Sequence, residues 1–389
     1  MVELGCAQEY RAIIHWRGGG RPYTSPAVDS LTQVRWSRTI NDVSQAEISI
    51  AKSAAGTECC GQLGKIEPWI HELSIYRDSD LVWQGPVLRL RETTPTLTVE
   101  AWDMLAWLRR VVNTFWLRFV DIEPDDRGRK RGPVQEIAET IIRTNLVDSS
   151  LSVPPDWCNV TPYIVRQDAE TTTKFEKDGE NNDAVWAEYV LNVLDEELTP
   201  RGLEYTTVGR SMVLRGPADA EDAPQVRLFP EDILGDVEVV RDGTEAATFA
   251  FATTQETRDI SGGLTVGTGE VGTPYGRLDW LVRSTAENVD EDDLRQMARQ
   301  VLGGRYPAPT TITIPDGAQL APTAPVTIHQ LVAGERIDFV AQGFCMEVEE
   351  GFRLADLEVT WGASGEQVGI SLVPLFSLSD GTGPIGGSG

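Results

Sequence analysis

Leu81-Val-Trp-Gln-Gly-Pro-Val-Leu-Arg-Leu-Arg91 continues as ETTPTLTVEAWDMLAWLRRVV to residue 112. Apolar and polar residues alternate on both sides of Gly85-Pro86, so residues 73–83 and 87–91 read as two strands flanking that step. A third strand, 97–101, breaks without a loop into a short helix beginning near Asp103, a good N-cap residue. Met104, Leu105, Leu108 and Val111 fall on one face of that helix. Gly85 reads as a position whose backbone conformation is closed to β-branched side chains. Trp102 and Trp107 are large enough to fix such a helix to a sheet, so the expected role of the helix is a plug over the end of a β-barrel. The unit looks like packing, with no nucleophile, metal cluster or phosphate loop in it.

Outward from this unit, residues 1–120 are β-rich. Residues 10–16, 34–40 and 46–50 read as strands, with Asn41-Asp42 as turn chemistry. Residues 121–235 change period. Val134, Ile137, Ala138, Ile141 and Ile142 form one helical stripe behind Pro133. A second helix from Asp183 places Trp186, Tyr189, Val190, Val193 and Leu194 on one face. A hairpin over Gly209-Arg210 follows. Residues 236–375 are β-rich again, with a hairpin expected over Asp242-Gly243 and a helix over 290–302. Strands are expected at 311–314, 326–331, 336–341, 354–361 and 368–373. Residues 376–389 read as a flexible tail. The fold class is therefore mainly β with an α+β middle, and the two β-rich ends resemble each other more than they resemble the centre.

Composition narrows the function classes. The chain has 389 residues, 41% hydrophobic and 24% charged, with 11 Trp, which suits a globular protein of more than one domain. No apolar run is long enough to span a bilayer. No cationic and apolar leader follows Met1, so synthesis in a cytoplasm is expected. With 60 acidic and 34 basic residues the formal charge is −26, which disfavours nucleic acid and anionic membranes as partners. The basic run at 127–131 is balanced by its own acids and reads as a solvated loop.

Several motifs imitate chemistry. Gly267-Thr-Gly-Glu-Val-Gly272 fits the dinucleotide pattern in letters but is followed by Thr273-Pro-Tyr-Gly276 rather than a helix. Asp290-Glu-Asp-Asp293 suits the first turn of a helix, and Asp178-Gly-Glu-Asn-Asn-Asp183 lacks the ligand order of a calcium loop. Cys6, Cys158 and Cys345 are isolated and Cys59-Cys60 is vicinal, so no thiolate metal site is expected. His15, His71 and His329 lie in strand-like segments without a metalloprotease pattern. No catalytic, cofactor-binding or metal-ligating residue is nominated.

Residues 75–87 and 97–108 resemble the hub-type minor tail proteins of long-tailed phages, especially those infecting actinobacteria. The positions that carry the resemblance are Trp83, Gly85, Val87, Ala101, Asp103 and Leu108. Late in the chain Leu331-Val-Ala-Gly334 resembles that family's L-x-x-G turn, and Leu354-Ala-Asp-Leu-Glu-Val-Thr360 the strand after it. The resemblance covers the two β-rich ends. It implies the baseplate-hub fold: a first β-barrel over 1–120, an α+β insertion over 121–235 and a related last barrel over 236–375. It further implies a homotrimer whose six barrels form a pseudo-hexameric ring between a six-fold tail tube and three-fold tip components. The implied partners are a distal tail or tail tube protein, the C-terminus of the tape measure protein, and receptor-binding or tail-fibre proteins. The implied location is the tail tip of the virion, with no enzymatic activity, no sequence-specific nucleic-acid binding and no stable membrane insertion. The competing readings are a cell-wall-degrading or carbohydrate-binding tail protein, and the hub of a contractile injection or secretion apparatus.

Overall fold

The computed structural model describes residues 3–19, 22–23, 31–52, 61, 63–113, 130–132, 134–148, 158–165, 173–175, 188–199, 202–216, 226–244, 246–253, 265–269, 276–283, 294–295, 298–299, 302, 305, 310–315, 317–346 and 348–374. Its strands, in chain order, begin with β1 (Tyr10–Trp16), β2 (Leu31–Thr39), β3 (Gln45–Ala51), β4 (His71–Arg77), β5 (Asp80–Glu92) and β6 (Thr96–Trp102). The centre adds β7 (Lys130–Gly132), β8 (Thr161–Ile164), β9 (Thr173–Phe175), β10 (Glu204–Val208) and β11 (Ser211–Arg215). Then come β12 (Val226–Leu228), β13 (Ile233–Leu234), β14 (Glu238–Arg241), β15 (Phe249–Thr253), β16 (Thr265–Gly269) and β17 (Asp279–Arg283). The last are β18 (Thr310–Thr313), β19 (Ala318–Leu320), β20 (Arg336–Val340), β21 (Glu349–Gly362) and β22 (Gly365–Pro374).

Period-two burial builds the main sheet. Val34 and Trp36 in β2, Ala46, Ile48 and Ile50 in β3, and Leu97, Val99 and Ala101 in β6 all face inward, as alternation requires. Twelve strands join in one sheet of order β1-β4-β5-β6-β3-β2-β21-β22-β19-β13, with β20 pairing both β21 and β12. Pairing is antiparallel except between β12 and β20. The decisive contact is β2 against β21, in register from Val34↔Trp361 to Thr39↔Asp356. It puts both β-rich ends in one sheet over one core, where Trp36, Ile48 and Val99 share a cluster with Phe339, Leu357 and Val359. The expectation of two closed barrels is therefore corrected. The chain is mainly β, but its described strands form large antiparallel sheets, and the main one runs from β1 to β13 without closing.

Other local expectations change for identifiable reasons. Gly85-Pro86 does not separate two strands, because β5 runs straight through it and exchanges β4 for β6 as its partner. Residues 326–331 form no strand and end in a turn that includes His329. No hairpin forms over Asp242-Gly243: β14 pairs with β18, while β15 lies between β16 and β17. Asp-Gly chemistry bends the chain, but the partner of each strand is set elsewhere by packing.

A second core occupies the centre. The helix Val134–Ile142 buries the expected stripe and runs on as a π-helical turn, Arg143–Val147. A second helical segment, Val190–Asn192 and then Val193–Leu198, buries Val190, Val193 and Leu194 but leaves Tyr189 exposed. Asp183 and Trp186 lie outside the described residues, as do Pro133, Cys59, Cys60, the acidic runs at 178–183 and 290–293, and the tail from 376. The helix after Asp103 is a single 3-10 turn, Met104–Trp107. Its Met104, Leu105, Ala106 and Trp107, with Leu108, join the central core beside Ile137, Leu194 and Tyr205. It does not plug a barrel.

Trp36 is fully buried on β2 and lies in the seam itself, paired with Val359 of β21. Trp36→Ala should cost about 3–5 kcal/mol in reversible denaturant unfolding. A loss below about 1 kcal/mol would be incompatible with a shared core.

Candidate functional site

Two backbones meet at Gly85. On one side Leu73 pairs with Gly85, and two residues on Val87 pairs with Ala101 of β6. A Cβ on Gly85 would lie 1.8 Å from the Trp102 carbonyl oxygen and 2.8 Å from the Asp103 Cα. The glycine is required by this close approach and not by its φ, which is outside the left-handed range. Trp83, Val87 and Ala101 are buried around it in the main core.

The same crossing aims Asp103 inward. Its Oδ1 accepts the Leu105 N–H at 3.0 Å, the N-cap contact of the 3-10 turn. Its Oδ2 accepts the Ser44 N–H at 3.0 Å, the Ser44 hydroxyl at 2.7 Å and the Thr207 hydroxyl at 2.9 Å. Ser44 precedes β3 and Thr207 belongs to the central hairpin, so one carboxylate ties together main sheet, helical turn and centre. Burial pushes its pKa up, and the four donors bring it back only part way, to about 6. Trp107 packs against Trp69 at 4.9 Å between ring centroids, while Trp102 stays half-buried under the Arg109 guanidinium.

Gly334, the remaining position singled out from the sequence, lies at a different junction. Its φ is +88°, and a Cβ there would stand 2.5 Å from Arg215 Nη1, so a side chain is excluded both by conformation and by space. Arg215 at the end of β11 donates to the Ala333 carbonyl at 2.9 Å and to Glu335 at 2.6 Å. Arg353 of β21 donates to the Gly334 carbonyl at 2.8 Å and to Glu204 of β10 at 2.7 Å. The central hairpin is thus bolted to residues 333–335 by two buried arginines. The structure brings Trp83, Gly85, Val87, Ala101, Asp103 and Leu108 into one neighbourhood and leaves Gly334 in another.

Other residues of comparable importance were not read from the sequence. Arg38 takes the inward position two residues after Trp36, where alternation calls for an apolar side chain. It donates to the carbonyls of Ile328, Leu331 and Val82 at 3.1, 2.9 and 2.8 Å. Among the described residues no carboxylate pairs with it, and burial lowers its pKa to about 10. Glu366 of β22 accepts from Arg77 Nε and Nη2 at 2.8 Å each, from Tyr10 Oη at 2.6 Å and from the Ala7 N–H at 2.7 Å. Burial alone would raise the Glu366 pKa, but these donors hold it below the ordinary range. An inward arginine in an alternating strand is a sequence signal for such a clamp; its partners are not.

Asp103, Arg38, Arg77, Glu366, Arg215 and Arg353 each make several hydrogen bonds that hold segments together, and among the described residues no group of three His, Cys, Asp or Glu side chains is arranged to hold a metal ion. His15 and His71 lie on paired strands, while His329 is exposed beside Asp80.

No family model matches the sequence, and no curated protein matches it. Solved structures do. The chain is similar to the 43 kDa tail protein of prophage MuSo2 from Shewanella oneidensis, with TM-score 0.54, 11% identity, 95% of this chain and 99% of that one covered. It is also similar to a tail protein from Neisseria meningitidis MC58, with TM-score 0.55, 12% identity, and 96% and 99% covered. The prophage tail protein gp18 from Listeria monocytogenes EGD-e gives TM-score 0.54, 10% identity, and 93% and 94% covered. At such identities the likeness is one of fold, and it extends over nearly the whole of each chain.

Gly85→Ala should cost about 3 kcal/mol or more, because the clash is with main chain. Gly243→Ala, where a Cβ meets nothing within 4 Å, should stay within about 0.5 kcal/mol in the same unfolding assay. The folded Asp103 carboxyl holds its proton up to about pH 6, whereas the ordinary value is 3.8. The folded state therefore binds the extra proton between those values, and the stability this group contributes is lost as pH rises through about 6. Against an Asp103→Asn variant, wild type should lose stability from about pH 4 to 6 and run parallel above that. The opposite slope would mean that the four donors outweigh burial.

Proposed function

We propose that this chain is a structural hub protein at the tip of a long phage tail. The observation that carries the reading is the end-to-end correspondence of its fold with three tail proteins, two of them from prophages. The signature positions 83, 85, 87, 101, 103, 108 and 334 add to it, because each sits in a packed junction and none points to catalysis. The phage would be one infecting actinobacteria, on the strength of the sequence resemblance.

The proposed assembly is a homotrimer with two β-rich units per chain, 1–120 and 236–375, around a central portion 121–235, followed by the tail 376–389. Edge-to-edge pairing of β2 with β21 supports this, since it joins the two ends laterally within one chain. Three chains would repeat that lateral arrangement six times, matching a six-fold tube above and three-fold components below. The distal tail or tail tube protein, the tape measure protein and receptor-binding proteins are its proposed partners. The mechanism is geometric, a matter of matching symmetry and anchoring. Three copies would carry three times the formal charge of −26, so association works against repulsion, which salt screens over about 10 Å at 0.1 M.

Light scattering should show monomer in dilute low-salt solution and trimer as salt and concentration rise. A reconstruction of the tail tip without imposed symmetry should show three copies, and six or one would refute the hub role. Purified protein should not lyse cell wall in a zymogram. Lysis abolished by changing one Asp or Glu would identify an enzyme instead.

A further inference from the structure

One group of side chains is used by none of the junctions above. Trp16 ends β1 and Tyr23 stands beside it, their rings at 86° and 5.2 Å between centroids. His71, the first residue of β4, packs against both, 4.6 Å from Trp16 and 4.2 Å from Tyr23. The three rings therefore form one cluster, a right-angled aromatic corner with an imidazole packed on both arms. Trp16 is 44% exposed and Tyr23 half-buried, whereas His71 is 2% exposed.

The imidazole has a fixed tautomer and an unmet donor. Its Nδ1 accepts the Glu67 N–H at 2.9 Å, which leaves the proton of the neutral ring on Nε2. That Nε2 is buried and has no hydrogen-bond partner among the described residues. A buried donor in this state costs about 1–3 kcal/mol. The Trp16 indole N–H and the Tyr23 hydroxyl make no side-chain hydrogen bond among the described residues either. Tyr23 is held to β1 by its own N–H, which donates to the Ile14 carbonyl at 2.8 Å, and by the bridge of Pro22 to His15. Its ring makes neither contact, so a turn of that ring would open Nε2 to an incoming atom.

These features select the chemistry of a ligand. The half-exposed indole offers a flat, electron-rich face to C–H groups. An aromatic corner also suits a quaternary ammonium, but a cation supplies no acceptor for the Nε2 proton and is repelled by it. A carboxylate or phosphate supplies the acceptor and has no C–H face to lay on the indole. A pyranose has both, with C–H groups on one face of the ring and oxygens around its edge.

We propose that the Trp16–Tyr23–His71 corner binds a pyranose unit of a glycan, with the indole stacked on the sugar and His71 Nε2 donating to one of its oxygens. The site adds a binding activity to the hub role and does not depend on the number of copies in the assembly.

The test uses the full-length protein and saturation-transfer difference NMR, with glucose, galactose, N-acetylglucosamine and rhamnose as probes and choline and acetate as controls. Wild type should transfer saturation to ring protons of at least one sugar and to neither control. On adding that sugar, the His71 Nε2–H resonance should move downfield, a signature that stacking alone does not produce. Trp16→Ala should weaken binding about tenfold. Tyr23→Phe keeps the ring, removes one hydroxyl and should weaken binding about threefold; it serves if Trp16→Ala melts early. Leu281→Ala, at a position 55% exposed on β17, should change nothing. No transfer to any of the four sugars overturns the proposal. Undiminished binding in both Trp16→Ala and Tyr23→Phe puts the sugar elsewhere and also overturns it. Transfer to choline alone would make the corner a cation cage, and an unmoved His71 resonance would remove the donor from the site; either result refutes the assignment.

Discussion

Everything in this molecule depends on β2 lying against β21. Arg35 and Glu358, paired across that seam, are 323 residues apart in sequence. Closing so long a loop costs entropy before any contact rewards it, although the cost grows only slowly with length. What offsets it is the shared core, in which side chains from both β-rich ends leave water together. Neither half of the sheet is covered without the other. The seam therefore has to be specific, and period-two alternation makes it so: a slip by one residue would turn Val34, Trp36 and Arg38 outward at once.

Around the seam the chain uses buried charge as fasteners. Arg38, Arg77 with Glu366, and Arg215 with Arg353 each join segments far apart in sequence, with the guanidinium donating to carbonyls or carboxylates of a distant segment. A guanidinium suits the task because its planar fork meets several acceptors at once. Asp103 is the anionic counterpart, receiving four donors from three elements. Such groups contribute less to net stability than apolar burial of the same volume, but a wrong arrangement leaves a charge without partners. They favour one arrangement over near alternatives.

How much of this was legible follows from range. Period-two strands 10–16, 46–50 and 97–101, the stripe at Val134–Ile142 and the N-cap at Asp103 are local, and their signals survive in the structure. The expected hairpin over Asp242-Gly243 did not form, because turn chemistry bends a chain without choosing what each strand then meets. Gly85 reads in sequence as closed to β-branched residues by its backbone conformation, whereas what demands the space is a crossing carbonyl, invisible in sequence. Arg38 taken alone reads as solvent-facing; only its phase with Val34 and Trp36 marks it as inward, and its partners at Val82, Ile328 and Leu331 leave no local trace. The two closed barrels failed similarly. Strand spacing indicates how many strands exist, and only tertiary packing decides whether a sheet closes on itself or continues into its neighbour.

The 3-10 turn Met104–Trp107 has an evolutionary consequence. Though encoded next to β6, its side chains fill the core of the central helices and hairpin, and Asp103 is bonded to Thr207 across that boundary. A recombination event exchanging the centre alone would strip a donor from Asp103 and set five apolar side chains against a foreign core. Productive exchange would have to carry this turn along, with its crossover upstream of Asp103 and inside the strand that feeds it. Mosaic relatives of this chain should therefore inherit turn and centre as one heritable block.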